Sequence, residues 1–355
     1  MPRAALRFQS LFLLVATAAT ATAQAERKTV SGSSVSIYNI AGRVQVEAGT
    51  GPDVIVEIER DGRDASRLTV EVGEVRGKNT LRVIYPDGDI VYRDRQRNGW
   101  GSWNSSFSVN SDGTWGGDRS WSRNRRIRVK GSGSGLEAWA NLRVLVPAGK
   151  HIDVNLGVGD LTARNVAGDV RLDVASAHVS ASGMRGNLTI EAGSGGIDVR
   201  DASGDEITLE TGSGSVDLRD ITAKRCKVDS GSGGVSGGAV SCDDIAIDVG
   251  SGSVRVEDAR ASRVKLETGS GGVQFGMRSS PRDLVVESGS GSVTISLPAI
   301  TNAEVDIETG SGGIESDFPV QMRRVERHHL RGTIGDGSGR IRIETGSGGV
   351  RLRKM

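Results

Sequence analysis

Carboxylates recur along the second half of the chain at one place in a repeated frame, six residues ahead of an aliphatic residue: Glu191, Glu210, Asp229, Asp248, Glu267, Glu287, Glu308 and Glu344, with Asp173 as a forerunner. A row of this kind can bind divalent cations, hold a basic partner or serve as an acid/base pair. Catalysis needs one special place, and a uniform ladder offers none. Calcium-binding repeats put an Asp inside the Gly-rich turn itself; here that pattern occurs once, at 193–198, and is not maintained. The expected role is therefore structural: each carboxylate accepts hydrogen bonds from amides of the adjacent Gly-Ser-Gly turn. Arg171, Lys227, Lys265 and Arg342 offset the repulsion between stacked acids. No metal and no cofactor are expected.

A second group of residues suits recognition. Between Asp87 and Gly135 lies a Gly/Ser/Asn/Asp/Arg-rich stretch holding Trp100, Trp103, Trp115 and Trp121, followed by Arg123, Arg125, Arg126, Arg128 and Lys130. Tryptophan faces can stack on sugar rings or on another protein, while guanidinium groups contact phosphate or carboxylate. The alternative is a polar insertion whose aromatics fold back onto the rest of the chain. The four histidines, His151, His178, His328 and His329, show no metal-ligand spacing. Gly-x-Gly-x-x-Gly matches belong to turns and lack a strand-to-helix context. No nucleophile, base and acid gather in the sequence, so a non-catalytic protein is expected.

These residues need elements to position them, and an internal period supplies the elements. The frame of acid, any residue, Gly-Ser-Gly, Gly or Ser, then Val or Ile places aliphatic marks at Ile197, Val216, Val235, Val254 and Val273, nineteen apart, followed by steps of 20, 21 and 36. Apolar residues alternate on both sides of the Gly-Ser turn, as Ile207 and Leu209 before it and Val216 and Leu218 after it. Alternation of this kind marks half-buried strands. One unit cannot bury its apolar face alone, so units stack, with strands about 4.8 Å apart. The columns Ile207, Cys226, Ile245, Val264, Leu284 and Leu209, Val228, Ile247, Leu266, Val286 should line the interior. The fold class expected is all-β, a right-handed parallel β-solenoid of about ten coils of roughly 19 residues. A pair of antiparallel sandwiches would alternate too but would not explain the constant offset. Residues 26–146 read as an N-terminal β cap interrupted by the 87–135 insertion, and 147–355 as the repeat domain with a second insertion at 316–340. Arg351, Arg353 and Lys354 are expected at the far edge, where their charge would discourage edge-to-edge growth. Cys226 and Cys242 are expected as free thiols, since a straight strand would hold them too far apart for a bridge.

Residues 1–25 resemble a secretory signal: Arg3 and Arg7, an apolar run from Ser10 to Ala19, and small residues around Ala23 and Ala25. Export to the periplasm, cell surface or medium is expected, with no transmembrane segment in the mature chain. The formal net charge of +1 gives no global field that would draw nucleic acid.

The repeated Glu-Thr-Gly-Ser-Gly-Gly-Val frame, Val146-Pro147-Ala148-Gly149 and the late Gly332 to Gly337 stretch before Ile341-Arg342-Ile343 together resemble a bacterial β-strand-repeat family provisionally described as adhesins, of unknown function. The resemblance covers roughly residues 30–355 and implies an envelope or surface location and an adhesion-like role, with no catalytic residues to carry over. The leading expectation is a binding module that presents its loops to a cell-envelope polymer or protein. An envelope scaffold or sensor component and a polysaccharide-active β-helix enzyme are the alternatives.

Overall fold

The computed structural model describes residues 25–93, 104–115 and 125–355; the proposed signal segment, Trp100, Trp103, Trp121 and Arg123 lie outside them. Apart from a single 3-10 turn at Ala65–Arg67, the regular elements are strands. The first are β1 (Glu26–Val30), β2 (Ser34–Ala48), β3 (Val54–Asp61), β4 (Thr69–Val75) and β5 (Lys78–Ile84), then β6 (Asp89–Val91), β7 (Asn104–Val109), β8 (Arg125–Lys130) and β9 (Trp139–Val146). The repeat strands are β10 (Lys150–Arg164), β11 (Gly168–Arg185), β12 (Leu188–Ala192), β13 (Ile197–Thr211), β14 (Val216–Ser230) and β15 (Val235–Val249), followed by β16 (Val254–Ala259), β17 (Arg263–Thr268), β18 (Val273–Met277), β19 (Asp283–Ser288) and β20 (Val293–Leu297). The last are β21 (Ala303–Thr309), β22 (Ile314–Ser316), β23 (Gln321–Glu326), β24 (His329–Ile334), β25 (Gly339–Thr345) and β26 (Val350–Lys354).

Successive coils pair in parallel with the register that the nineteen-residue period demands. Ile207 lies beside Cys226, Cys226 beside Ile245, Ile245 beside Val264 and Val264 beside Leu284, with the second column alongside. All these side chains are buried. Each removes apolar surface from water at roughly 1.5–3 kcal/mol per side chain. The stack is therefore an all-β, solenoid-like structure with an aliphatic interior.

Each coil has two limbs joined by a corner that is Gly-Ser-rich from Gly193 onward. An inward aliphatic residue on the first limb is followed nine residues later by one on the second: Val35 and Val44, Ile152 and Leu161, Ile207 and Val216, Leu284 and Val293, Ile341 and Val350. The corner is a place of close backbone contact. A Cβ on Gly214, Gly233, Gly252 or Gly271 would stand 1.7–2.2 Å from the carbonyl oxygen of the glycine one coil below. In the early coils of that column Gly42, Gly159 and Gly195 have positive φ, whereas Gly214, Gly233, Gly252 and Gly271 do not, so in the later coils contact between coils, more than positive φ, is what requires glycine. The residue before the first corner glycine is a buried Thr or Ser in most coils (Thr211, Ser230, Thr268, Ser288, Thr309 and Thr345), with Ala192 and Val249 in the other two, and the hydroxyl serves the turn. Thr268 Oγ1 donates to Gly252 O (3.1 Å) and accepts from Gly271 N (3.1 Å), and Ser230 Oγ donates to Gly233 O (2.8 Å). Positive φ recurs coil after coil at the opposite corner, at Asn165, Gly183, Asp201, Asp220, Ala239 and Asp258. Asn and Asp tolerate that conformation best among residues with a Cβ.

The cysteines form a disulfide, Cys226 to Cys242, with Cα atoms 6.2 Å apart, which corrects the expectation of free thiols. Cys242 lies beside Ala223 on the coil above. The chain turns at the second corner between Ala223 and Cys226, where Lys224 and Arg225 both face solvent. That turn swings position 226 toward 242, a closeness that a straight strand would not give.

The stack begins earlier than the sequence suggests. β2 pairs in parallel with β10 along both limbs, so residues 34–48 are a coil and not part of a separate cap. Beyond β2, β5 and β9 still pair in parallel, over the first and second limbs respectively, and antiparallel strands follow them: β4 on β5, and β3 then β1 on β9. The other end has a different order from the one expected. β25 and β26 lie inside the stack, β25 between β19 and β21, β26 between β20 and β22. β24 and then β23 pair antiparallel on the far side of β21. Arg351, Arg353 and Lys354 thus sit on an interior strand, and the edge role expected of them does not hold.

Candidate functional site

The 87–135 insertion contributes a small sheet, β6 parallel to β8 and β8 antiparallel to β7. Alternation in β8 buries Ile127 and Val129 and turns Arg126 and Arg128 outward. Three aromatic side chains pin this sheet to the flank of the solenoid. Trp115 packs edge-on against Tyr38 of β2 (centroids 5.1 Å) and lies 6.1 Å from Phe107. The Phe107 ring seats over Gly157 of β10, where a Cβ would approach it to 2.7 Å. Burial and the nearby Asp153 carboxylate hold the Tyr38 hydroxyl above its ordinary pKa. Trp115 is 8% exposed, so it is an anchor of the insertion and not a recognition face as expected.

Arg125 is also occupied, at 2.5 Å from Asp87 and 2.9 Å from the carbonyl of Tyr85. Arg126 and Arg128 form no ion pair among the described residues; across β7 they stand beside exposed Ser108 and Ser106, and across β6 Arg128 stands beside Asp89. Lys130 is paired with Asp89, whose carboxyl that ammonium holds below the usual range. Among the described residues, the outward side of this small sheet thus carries hydroxyls and two guanidinium groups without an ion pair.

The carboxylates stack as a continuous column in the order Asp173, Glu191, Glu210, Asp229, Asp248, Glu267, Glu287, Glu344, Glu308. The inserted coil places Glu344 before Glu308. The expected hydrogen bonds from corner amides are not made; hydroxyls of the preceding Thr and Ser take that role. Basic side chains pair with part of the ladder: Arg171 with Glu191 and Lys227 with Glu210, each at 2.8 Å, Lys265 with Glu267 at 2.8 Å, and Arg342 with Glu344. Asp229, Asp248, Glu287 and Glu308 have no ion pair among the described residues. Asp248, Glu267, Glu287, Glu344 and Glu308 line an open groove of about 720 Å³. Burial raises Asp173 and Glu191 above their ordinary pKa, opposed in both by Arg171.

One polar cluster had no sequence signal. Asp153 of β10, 9% exposed, accepts from Lys78 Nζ (2.6 Å) and Ser36 Oγ (3.2 Å) and lies 3.1 Å from His151 Nε2. These residues come from three distant segments brought together by β2, β5 and β10. Ser36 donates to the aspartate and is itself buried, so it is not a poised nucleophile. The other histidines also meet neighbours: His178 with Asp198 (3.1 Å), His329 with Asp306 (2.7 Å) and His328 with the Gly312 carbonyl (3.2 Å). Among the described residues no group of three His, Cys, Asp or Glu is arranged to hold a metal ion, and no helix is long and apolar enough to cross a membrane.

No curated protein matches the chain. Among solved structures, a crystal structure from Clostridium sporogenes, provisionally described as a cell adhesion protein, aligns with 93% of this chain and 98% of its own at 10% identity and a TM-score of 0.22. The family model described as Toastrack DUF4097 matches residues 139–353, from the start of β9 to the end of the stack. That span is more than half of the chain and contains the stacked coils from β10 onward, so the chain belongs to the Toastrack DUF4097 family.

Proposed function

We propose that this is a non-catalytic, exported surface module that holds its 92–130 segment against a cell-envelope polymer or protein carrying acidic groups. The observation that carries the reading is the pair Arg126 and Arg128, without an ion pair among the described residues, on the outer face of a sheet clamped to the solenoid by Tyr38, Phe107 and Trp115. Guanidinium groups fixed on a strand lose little freedom on meeting phosphate or carboxylate. The disulfide between adjacent coils supports export, because such bonds persist in oxidising compartments. Family membership supports an adhesion-like role in the sense of the resemblance drawn from the repeats. The same reading takes the stack as a right-handed solenoid of about ten coils, the hand of nearly all parallel crossover connections.

The test is retention of envelope extract on immobilised mature protein, beside the Arg126→Gln/Arg128→Gln variant and a deletion of 92–130. Loss of the retained material with both variants is expected. Equal retention by all three would refute the assignment of this face. Release of reducing ends or unsaturated sugars from envelope polysaccharide would refute the non-catalytic part.

A further inference from the structure

The coil formed by β25 and β26 fills a slot whose two walls both precede it in sequence. The lower wall is β19–β20 and the upper wall β21–β22. The chain therefore lays down its upper wall one rung too high and returns to fill the gap. Charge identifies what belongs there. Along the outer face of the first limb, Glu206, Arg225, Asp244, Arg263 and Asp283 alternate in sign from coil to coil, with Arg225–Glu206 at 3.0 Å and Arg263–Asp244 at 2.6 Å. Direct stacking of β21 on β19 would put Glu304 beside Asp283. Insertion of β25 puts Arg340 between them and continues the alternation.

The upper wall presents Glu304, Asp306, Glu315 and Asp317, and the filling coil presents Arg340, Arg342, Arg351 and Arg353. Arg340 lies in register with Glu304 and Arg342 with Asp306. On the second limb Arg351 reaches Glu315 at 3.1 Å, and Arg353 reaches Asp317 at 3.1 Å and Glu315 at 3.3 Å. The filling coil is tied to β24, on the far side of the upper wall, by one short link, Gly335-Asp336-Gly337-Ser338, with φ of 59° at Gly335 and 76° at Gly337. Opened out, four residues reach about 14 Å.

We propose that this slot is also an interaction surface for a second copy of the same chain: copies exchange their 339–354 segments, each filling the other's slot through the same backbone ladder and the same acid-to-arginine pairs. Nothing in the slot distinguishes its own filling coil from a neighbour's, and exchange of an identical element is a low-cost route to a dimer.

Two full-length variants test it. One reverses the slot on the second limb (Glu315→Arg/Asp317→Arg), the other the filling coil (Arg351→Glu/Arg353→Glu), whose lower-wall neighbours there, Thr294 and Ser296, are uncharged. Each alone sets like charges against each other, whereas a mixed exchanged pair is matched in both slots. Unfolding and refolding the two together, read by size-exclusion chromatography with light scattering, should give a heterodimer fraction severalfold above that of either alone. A chain carrying all four substitutions should refold as the wild type does. A mixture that stays monomeric while the fourfold chain refolds normally would overturn exchange. A fourfold chain that fails to recover would overturn the charge match on which exchange rests.

Discussion

Replacing the cystine with the residues that its own columns dictate isolates the contribution of the cross-link. Cys226 stacks between Ile207 and Ile245, and Cys242 sits over Ala223, so Cys226→Val/Cys242→Ala keeps an apolar side chain inside at both places. The bond spans 16 residues. In the chain-entropy account, closing a loop of that length stabilises by about 3 kcal/mol, through restriction of the unfolded chain. Because the bridge joins neighbouring coils, its loss falls on the middle of the stack, where β14 and β15 share the interior columns. The assay is urea denaturation of the oxidised wild type, the reduced wild type and the double variant. The reduced protein and the variant should both lose about 3 kcal/mol, with little difference between them. A midpoint that does not move on reduction would show that the thiols are not bridged in solution, and the proximity argued from the second corner would fail with it.

Two further substitutions test particular features. Ala239 adopts φ 55° at a corner position occupied by Asp220 and Asp258 in the coils on either side; Ala239→Gly should raise stability by about 1 kcal/mol, since the side chain is exposed and only strain is removed, and an unchanged thermal midpoint would refute this. The raised pKa of Asp173 means that the folded protein holds its proton more firmly than the unfolded chain. The resulting stability is complete below the ordinary aspartate range and disappears as pH rises through the folded value. Asp173→Asn should therefore be more stable than wild type at neutral pH, by less than about 1 kcal/mol after screening, with the gap closing in acid; a gap independent of pH would contradict the burial argument.

The interior was legible because alternation and period agree: Ile207, Cys226, Ile245, Val264 and Leu284 are one column in sequence and in space. What escaped were features set by corners and by chain order. The approach of Cys226 to Cys242 depends on a turn that the alternation count treats as straight strand. The insertion of β25 hid behind a step of 36, although the sign alternation from Glu206 to Asp283 already called for a basic residue next, and Arg340 supplies it. The coil status of β2 was available in the nine-residue interval from Val35 to Val44. The contact of Lys78, His151 and Ser36 with Asp153 joins three segments that share no repeat, so no spacing could have revealed it. Of the recognition residues, Trp115 was misjudged because an aromatic in a polar loop gives no sign of the Tyr38 and Phe107 rings that cover it.

The constancy of that interval has a consequence for how the molecule can change. From Val35 to Val350 the first corner of the coil, Gly-Ser-rich from Gly193 onward, never gains or loses a residue, and there the carbonyls of the neighbouring coil already crowd a single added Cβ. All variation in length leaves from the opposite corner: the extra residues in the later steps, the excursion from Ala48 to Lys150 that carries the aromatic clamp, and the β23–β24 hairpin. One seam is closed to insertion and the other is open, so new loops can be grafted along a single line down the molecule, each landing beside the last on the same side.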